Sequence, residues 1–364
     1  MKAITLNPLT FNTKLLIVVL YMSIPIFSYG QNYEKRKTIN KAYTAEDNTT
    51  LNIDNKYGKV NITTNEGKAI TVDITIIAKA GSEQKATDIL NAINIEIGEG
   101  SLINPIPTIS FKTVIGTISG SGQKFEINYQ VNIPKWLTLN LINKYGDSYV
   151  APLTGNTTLD ISYGNLKADN LGGKTNIVKI SYSKGTILNF AQGSLVVKYS
   201  DFTLGTCGDL NLENSYSDLE IGSVNNLTTV CKYGEMLIQK ANSITGESNY
   251  TDFNVINLGS ALQMTLKYSS GFEIARVSSE FKNIAIDAQY SDCRIGFLPN
   301  TSYNFDLDLK YSGASIDTES VSYSKKVESD YSSYYAGKSG KTATPNAQLK
   351  IISKYGNVNL EQAF

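Results

Sequence analysis

The chain contains no histidine and, among its 364 residues, only three cysteines, one tryptophan and eight prolines. The lack of histidine excludes Ser-His-Asp and Cys-His catalysis, histidine-ligated zinc and proton transfer by histidine. Basic and acidic residues number 33 each, so the formal net charge is zero. This balance gives no electrostatic basis for binding nucleic acid or an anionic membrane. We therefore expect no cofactor, no metal site and no nucleic-acid partner.

A repeat marked by tyrosine is the strongest positive feature of the sequence. Ten tyrosines, each followed by a small residue, recur at spacings of 17 to 22 residues. A period held over this many copies indicates a structural repeat. The ten are Tyr145, Tyr163, Tyr182, Tyr199, Tyr216, Tyr233, Tyr250, Tyr268, Tyr290 and Tyr311.

Each repeat carries apolar residues at fixed positions around its tyrosine. In the Tyr199 copy they are Leu195, Val197, Phe202 and Leu204, with polar residues between them. This alternation predicts two strands per repeat, each with one buried face. Nearly identical units favour parallel stacking, with equivalent residues about 4.8 Å apart. The sequence therefore predicts an all-β chain: a single-stranded parallel β-solenoid (β-helix) of about 17–22-residue turns, with a small N-terminal α+β cap.

Two other architectures fit the repeat less well. A helical repeat would need apolar spacings of three and four, and these units also carry Gly, Asn or Asp every few residues. An antiparallel meander would alternate strand direction and so produce a two-unit pattern. The units keep a single register instead.

The tyrosine marks a corner of each repeat. Small residues after it, such as Gly146 and Gly164, permit a tight backbone, and stacked tyrosines would form a stabilising aromatic ladder. Alternation from the preceding core positions points the ring inward or along the corner. The alternative is an exposed file of aromatic rings that stack on sugars.

In four consecutive repeats the second residue after the tyrosine is acidic. These residues are Asp201, Asp218, Glu235 and Asp252. Capping of backbone N–H groups at the corner explains this file without a ligand. Stacked carboxylates could instead bind calcium or include the acid pair of a glycosidase. The Gly-Gly-x-Gly-x-Asp pattern of calcium-binding β-rolls is missing. We therefore assign no catalytic, cofactor-binding or metal-binding residue.

The cysteines also indicate structure rather than chemistry. Cys207, Cys231 and Cys293 all align with apolar columns of the repeat, where a free thiol packs as a small hydrophobe. They fall in different columns of non-adjacent repeats. This placement disfavours an intrachain disulfide.

The N-terminal region divides into an export signal and a cap. Residues 1–30 combine lysines, an apolar run from Leu15 to Phe27 and a small-residue cleavage site, the pattern of a signal peptide. Residues 31–136 hold an early corner unit at Tyr57 and an α+β capping insertion. We predict a helix over 82–93, strands over 70–78, 93–97, 108–115 and 124–133, and a hairpin or loop over 116–122.

The C-terminal region, residues 137–364, is predicted to be the solenoid. Residues 319–347, rich in Ser, Tyr, Lys and Gly, show no clean period and predict an exposed loop insertion. Its tyrosines, Tyr323, Tyr331, Tyr334 and Tyr335, could contact sugars, although a solvated insertion explains them without a ligand. The unit around Tyr355 restores the repeat as a final turn.

Several of these motifs together resemble the bacterial putative-adhesin family, a domain of unknown function. They are the run from Asn128 to Pro134, the segment from Leu139 to Asp147, the early Lys56-Tyr57-Gly58 unit and the strand from Ile70 before a short helix. The resemblance implies a single-chain β-solenoid exported across the inner membrane of a Gram-negative bacterium.

We therefore expect an exported, non-enzymatic β-solenoid that serves as an adhesin or a structural protein of the cell envelope. Its expected location is the periplasm, the outer-membrane surface or the extracellular space. Expected partners are a cell-surface glycan or an envelope protein, with no integral membrane segment after signal cleavage and a monomeric chain. The alternative is a carbohydrate-binding or carbohydrate-degrading β-helix protein.

Overall fold

A computed structural model describes residues 33–100, 107–118, 124–269 and 271–363. The described residues form 25 strands and one helix, and all strands belong to one hydrogen-bonded sheet that does not close on itself. The chain is therefore all-β, as predicted. The predicted signal peptide and most of the predicted 116–122 hairpin lie outside the described residues.

The N-terminal part contains the helix and seven strands. They are β1 (Tyr33–Thr44), β2 (Thr50–Lys56), β3 (Val60–Asn65), β4 (Ala69–Ala80), α1 (Glu83–Ala92), β5 (Ile93–Glu99), β6 (Thr108–Ile115) and β7 (Lys124–Pro134).

The middle part carries the most regular repeats and includes four long, bent strands. It consists of β8 (Thr138–Lys144), β9 (Ser148–Val150), β10 (Thr157–Ser162), β11 (Asn165–Leu171), β12 (Asn176–Ser181), β13 (Lys184–Lys198), β14 (Asp201–Ser215), β15 (Asp218–Ile238) and β16 (Ala241–Lys267).

The C-terminal part returns to short strands. It consists of β17 (Phe272–Val277), β18 (Asn283–Gln289), β19 (Cys293–Phe297), β20 (Tyr303–Lys310), β21 (Ala314–Asp317), β22 (Ser322–Glu328), β23 (Ser332–Ser339), β24 (Ala347–Lys354) and β25 (Val358–Gln362).

Pairing in the middle part is parallel and joins equivalent positions of successive repeats. Strands β13, β14, β15 and β16 pair in this order, and Phe202 lies beside Leu219 and Leu195 beside Leu212. These apolar columns are buried, with Leu204 and Ile221 fully inaccessible. Burying one such side chain stabilises the fold by about 1.5–3 kcal/mol. The core therefore runs continuously through the repeats.

The first repeat unit in the sequence has paired strands on both of its sides. Strand β2 pairs in parallel with both β6 and β8, and β3 pairs in parallel with both β7 and β9. The Tyr57 unit is thereby placed next to the Tyr145 unit. The two are far apart in the sequence: the Asn143 amide donates to the Gly58 carbonyl, 85 residues away. Residues between the two units supply the strands that cover it.

The N-terminal cap is built from antiparallel strands and the helix. Strand β4 pairs with β7 and β1, while β5 pairs with β6, all antiparallel. Helix α1 begins after Ser82, whose hydroxyl accepts the Lys85 N–H at 3.3 Å, and it buries Ala86, Ile89 and Leu90. The predicted helix and the four predicted cap strands are thus confirmed to within two residues.

A buried polar network joins the cap to the first repeats. Asn55 and Asn143 occupy an otherwise apolar column, and the Asn55 amide donates to Asn143 Oδ1 at 3.1 Å. Thr113 donates to Asn55 Oδ1 at 3.0 Å and lies 3.0 Å from the Tyr129 hydroxyl. The Asn143 amide also donates to the carbonyls of Gly58 and Gly146. Buried amides satisfied in this way fix which strands lie side by side.

The last repeat unit in the sequence is also an internal one. Strand β24 pairs in parallel with β18 on one side and β20 on the other, and β25 lies likewise between β19 and β21. The Tyr355 unit therefore separates the Tyr290 unit from the Tyr311 unit. It is not the final layer that its place in the sequence predicted.

The predicted loop at 319–347 is corrected by the structure. Strands β22 and β23 form an antiparallel hairpin, and β23 pairs antiparallel with β20. The hairpin covers the outer edge of β20, which would otherwise expose unpaired backbone groups. Its composition is polar because β22 is exposed along its whole length, so the apolar period of a core strand is missing.

We predict that removal of residues 341–364 opens a gap between β18 and β20. Both strands then lose a parallel partner, so their amides should exchange with deuterium much faster than in the full chain. Hydrogen-exchange mass spectrometry would measure this, with the peptides of β14 as an internal control that stays protected. Unchanged exchange in β18 would show that the C-terminal strands do not lie between these two repeats.

Candidate functional site

Every repeat bends its backbone at the tyrosine. Twelve tyrosines have φ between 51° and 61°, the left-handed region that side-chain-bearing residues rarely adopt. This conformation costs roughly 1–2 kcal/mol for each such residue. The set comprises Tyr57, Tyr145, Tyr163, Tyr182, Tyr199, Tyr216, Tyr233, Tyr250, Tyr268, Tyr290, Tyr355 and Tyr311, and we call it the tyrosine ladder.

The rings of the tyrosine ladder stack in that order from one end of the molecule to the other. Successive ring centroids are 4.6–5.0 Å apart and the ring planes deviate by 1–12°. Phe125 covers the first ring edge-on at 5.4 Å, and Tyr331 lies 5.5 Å from the last. An aromatic pair contributes about 0.5–1.5 kcal/mol. The free energy gained by stacking is therefore of the same order as the free-energy cost of the left-handed backbone.

The rings run along the corner, the second of the two orientations indicated by the sequence. Between 40% and 51% of each ladder tyrosine is exposed. A left-handed residue interrupts the in-and-out alternation of a strand, which turns the ring out of the core. Partial burial between its neighbours raises the pKa of Tyr216, with smaller contributions from Tyr233 and Tyr199.

Stacking leaves the ring faces of the ladder occupied. A sugar that binds an aromatic side chain lies against its face, and each internal tyrosine has a neighbouring ring on both faces. The accessible parts are the ring edges and hydroxyl groups. This geometry argues against the sugar-stacking interpretation of the tyrosine file.

The residue after the tyrosine is small because it lies against the backbone of the preceding repeat in the stack. At Gly146, an added Cβ would lie 1.9 Å from the Gly58 carbonyl oxygen. Where the residue is serine, its hydroxyl bonds the backbone: Ser200 Oγ accepts the Ser183 N–H at 3.1 Å and donates to the Lys198 carbonyl at 2.8 Å. Ser217 repeats this arrangement one repeat further on. Packing and backbone hydrogen bonding within the fold therefore explain these small residues.

The four carboxylates of the acidic file are adjacent and exposed. Pairing places Asp201 beside Asp218 and Glu235 beside Asp252. Asp218 accepts the Glu235 N–H at 3.1 Å, and Asp201 forms a 3.0 Å ion pair with Lys184. Corner capping of this kind also occurs at Asp292, which accepts the Asn357 N–H at 2.7 Å. The geometry favours the capping interpretation at these positions.

Two tyrosines of the β22–β23 hairpin donate hydrogen bonds to carboxylates of the same chain. Tyr334 donates to Asp306 at 2.8 Å and Tyr335 to Glu328 at 2.6 Å. The ammonium group of Lys325 lies 5.0 Å from the Tyr334 ring. The carboxylate acceptors raise the pKa values of both phenols. These contacts attach the hairpin to β20 and leave fewer groups for a sugar.

Two open cavities lie at the ends of the molecule. The larger, about 1310 Å³, borders the first ladder ring and is lined by five cationic and three acidic side chains with Tyr57 and Phe125. Of its acids, Glu34 is paired with Arg36 at 2.7 Å and Lys79 at 2.9 Å. Such mixed, partly paired charges do not specify one ligand.

The smaller cavity, about 580 Å³, lies at the C-terminal end and is predominantly acidic. Its lining includes Arg276 and four carboxylates: Glu273, Asp317, Glu319 and Glu361. Gln362 donates to Glu319 Oε1 at 3.1 Å, and Glu319 Oε2 is buried without a hydrogen-bond partner. Lys341 approaches that carboxylate at 3.7 Å. Sequence periodicity gave no sign of this cluster, because its residues come from three distant segments.

The thiols are unsuited to nucleophilic chemistry. Cys231 and Cys293 are buried, Cys207 is half-buried, and all three are free. Burial raises the pKa of each thiol to about 12, helped by nearby Asp209 at Cys207 and Asp292 at Cys293. A neutral thiol is a poor nucleophile and metal ligand.

Among the residues that the structure describes, no cluster of three or more His, Cys, Asp or Glu residues has a geometry suited to holding a metal ion. Likewise, the helix found there is too short and too polar to cross a membrane.

No protein-family model matches the chain, and no curated protein matches it in sequence. Solved structures that resemble it include a putative cell adhesion protein from Clostridium sporogenes, 13% identical, with 90% of this chain and 100% of that chain covered and a TM-score of 0.23. A putative adhesin from Parabacteroides merdae is 14% identical over 89% and 96% of the two chains, with a TM-score of 0.29. One from Parabacteroides distasonis is 14% identical over 89% and 97%, with a TM-score of 0.26. Scores this low establish neither a shared fold nor a shared function.

We predict that Tyr216→Ala destabilises the protein by about 1–3 kcal/mol, because it removes two stacked pairs and keeps the left-handed backbone. Tyr216→Phe retains the ring and should be nearly neutral. Urea unfolding followed by circular dichroism would measure both. Equal destabilisation by the two variants would show that the hydroxyl, and not the stacked ring, stabilises the ladder.

We also predict that the native thiols react slowly with a disulfide reagent at pH 8. Cys207 should react first and the buried Cys231 and Cys293 only after unfolding. Unfolded thiols ionise near pH 9, whereas the folded ones keep their protons to about pH 12. The free energy of unfolding should therefore fall above pH 9, by up to about 1.4 kcal/mol per pH unit for each buried thiol.

Urea unfolding of the parent chain and of Cys231→Ala between pH 8 and 10 would test this dependence. The variant should lose less stability over that range. Rapid reaction of all three thiols in the folded protein would contradict their placement in the core.

Proposed function

We propose that the chain is an exported, non-enzymatic, single-stranded parallel β-solenoid that acts as an adhesive or structural module of the bacterial cell envelope. Its turns would contain about 17–22 residues. Residues 1–30 would be the export signal, residues 31–136 the first turn with its capping insertion, and residues 137–364 the remaining turns with the hairpin-bearing insertion at 319–347.

The main support is that the special residues of the repeat already have structural partners. Ring faces of the tyrosine ladder contact other rings, the serine hydroxyls bond neighbouring backbone, and Asp218 and Asp292 cap N–H groups of the next repeat. An enzyme would need such groups converging on one pocket. A long regular surface suits contact with an extended partner instead.

Export is supported by the sequence of residues 1–30 alone. It would place the protein in the periplasm, on the outer-membrane surface or outside the cell. Either a surface glycan or an envelope protein would then be the partner. The polar side chains on the exposed faces of the strands are suited to hydrogen bonding with both.

A second candidate function is carbohydrate degradation, favoured by the acidic cavity at the C-terminal end. Its carboxylates, including Glu319 and Glu361, are the chemical type that glycosidases use in pairs. The specific feature that supports it is Glu319 Oε2, which is buried, accepts no hydrogen bond and has only Lys341 near it, at 3.7 Å.

Binding and turnover experiments on residues 31–364 distinguish these functions. We predict that the protein is retained on envelope polysaccharides or whole bacterial cells and releases no reducing sugar. A glycan array and a reducing-end assay would measure the two properties. Retention on neither glycans nor cells would contradict the adhesive role.

A pair of matched variants identifies the source of any turnover. Glu319→Gln with Glu361→Gln alters the acidic cavity, whereas Glu247→Gln alters an exposed carboxylate on β16, outside it. Release of reducing sugar that the first variant abolishes and the second keeps would replace the adhesive proposal with an enzymatic one.

A further inference from the structure

A column of lysines borders the tyrosine ladder on one side, where the strand before each tyrosine ends. In seven of the twelve ladder repeats the residue before the tyrosine is lysine, and in the other five it is Ser, Asn or Gln. All seven side chains are exposed. This lysine column consists of Lys56, Lys144, Lys198, Lys232, Lys267, Lys310 and Lys354.

A column that contains six acidic residues borders the ladder on the other side. It holds the second residue after each of the twelve tyrosines: six acids, the two lysines Lys59 and Lys184, and four uncharged residues. The six acids are exposed. This acidic column comprises Asp147, Asp201, Asp218, Glu235, Asp252 and Asp292.

Folding of one chain explains the acidic column better than the lysine column. Asp147, Asp218 and Asp292 accept backbone N–H groups, as described above for the last two. The seven lysines form no ion pair with any residue that the structure describes. Two of them, Lys310 and Lys354, lie over the rings of the tyrosines that follow them, at 5.9 and 5.4 Å. Pairing even places Lys56 beside Lys144 and Lys310 beside Lys354. Like charges in such positions destabilise a sheet, so a partner outside the chain is the simplest reason for the column.

The tyrosine ladder and the two columns beside it form a surface that we call the ridge. Its size and composition suit a protein interface. Eleven stacking steps make the ladder about 54 Å long. With one charged residue on either side, such a ridge is comparable with the ~800 Å² that each partner contributes to a stable complex. Tyrosine is enriched in such interfaces because its ring is apolar and its hydroxyl can bond.

The arrangement of the two columns selects the partner and its orientation. When two copies meet ridge to ridge with their ladders parallel, a two-fold axis along the ladder places the lysine column of each opposite the acidic column of the other. Lysine then faces acid at three repeats: Lys144, Lys198 and Lys232 of one copy lie opposite Asp147, Asp201 and Glu235 of the second. At the Tyr57 repeat, Lys56 lies opposite Lys59 instead. When the ladders are antiparallel, lysine meets lysine and acid meets acid.

We propose that the protein associates with a second copy of itself through the tyrosine ladder, side by side and parallel. The two N-terminal caps lie at the same end of the dimer. This replaces the monomer expected from the sequence and does not depend on whether the role is adhesive or structural. The lysine and acid pairs at the Tyr145, Tyr199 and Tyr233 repeats set the register, and the tyrosine edges form the contact between the two copies.

Charge reversal on either side of the ladder tests the interface. In low-salt buffer the parent chain, residues 31–364, should sediment as a dimer at micromolar concentration. Lys198→Glu with Lys232→Glu should weaken the dimer at least tenfold, and so should Asp201→Lys with Glu235→Lys. The matched control is Lys174→Glu with Lys240→Glu, which reverses exposed lysines outside the ridge and should leave the dimer intact.

Mixing the two ridge variants gives the decisive result. At the altered repeats, the first variant carries acids on both sides of the ladder and the second carries lysines on both sides. Two copies of one variant therefore repel each other, whereas one copy of each variant attracts the other. An equimolar mixture should therefore recover dimer, while a loss caused by misfolding would persist in the mixture. Raised salt should weaken the parent dimer, because exposed ion pairs are screened.

Orientation is measured separately, with a spin label at Lys37 of the cap in a cysteine-free background. Parallel copies give a short distance between labels, and antiparallel copies give one on the order of the ladder length or more. A monomeric parent chain, a dimer unaffected by both ridge variants, or a long label distance would each overturn the proposal.

Discussion

The left-handed backbone at the ladder tyrosines is the constraint on which the rest of the structure depends. It turns the chain at the same point in every repeat and directs the ring along the corner. The rings then stack at the spacing that paired strands impose, 4.6–5.0 Å. Backbone cost and ring stacking are therefore linked: a tyrosine that left the corner would also remove a stacking partner from both neighbours.

The same constraint explains why the neighbouring positions are so restricted. The residue that follows the tyrosine lies against the backbone of the adjacent repeat, so only Gly, Ser or Thr occurs there. One position further, a carboxylate can reach the next N–H group. The Tyr-small-acid motif is thus a description of one corner. Its repetition along the chain reflects folding, whereas the lysines before the tyrosine form no ion pair with any residue that the structure describes.

Much of this fold could be predicted from the sequence because period and alternation are local properties. Helix α1, the cap strands and the apolar columns of β13–β16 all follow from residue spacing. The order of the repeats could not be predicted, because similar units pair equally well with any other unit. Nothing local shows that the Tyr355 unit lies before the Tyr311 unit. The buried amides of Asn55 and Asn143 were also missed, since an isolated Asn in an apolar column resembles an error in the pattern until its partners are known.

The placement of the first and last units of the sequence between other strands has a consequence for how the fold is completed. Strand β2 lacks a neighbour on either side until β6 and β8 have been made, and the Tyr290 and Tyr311 units stay apart until residue 362 is available. Growth one repeat at a time from the first residue to the last is therefore impossible. The segment that contains β24 and β25 takes its place between the Tyr290 and Tyr311 units. The order in which the repeats join the stack therefore differs from their order in the chain.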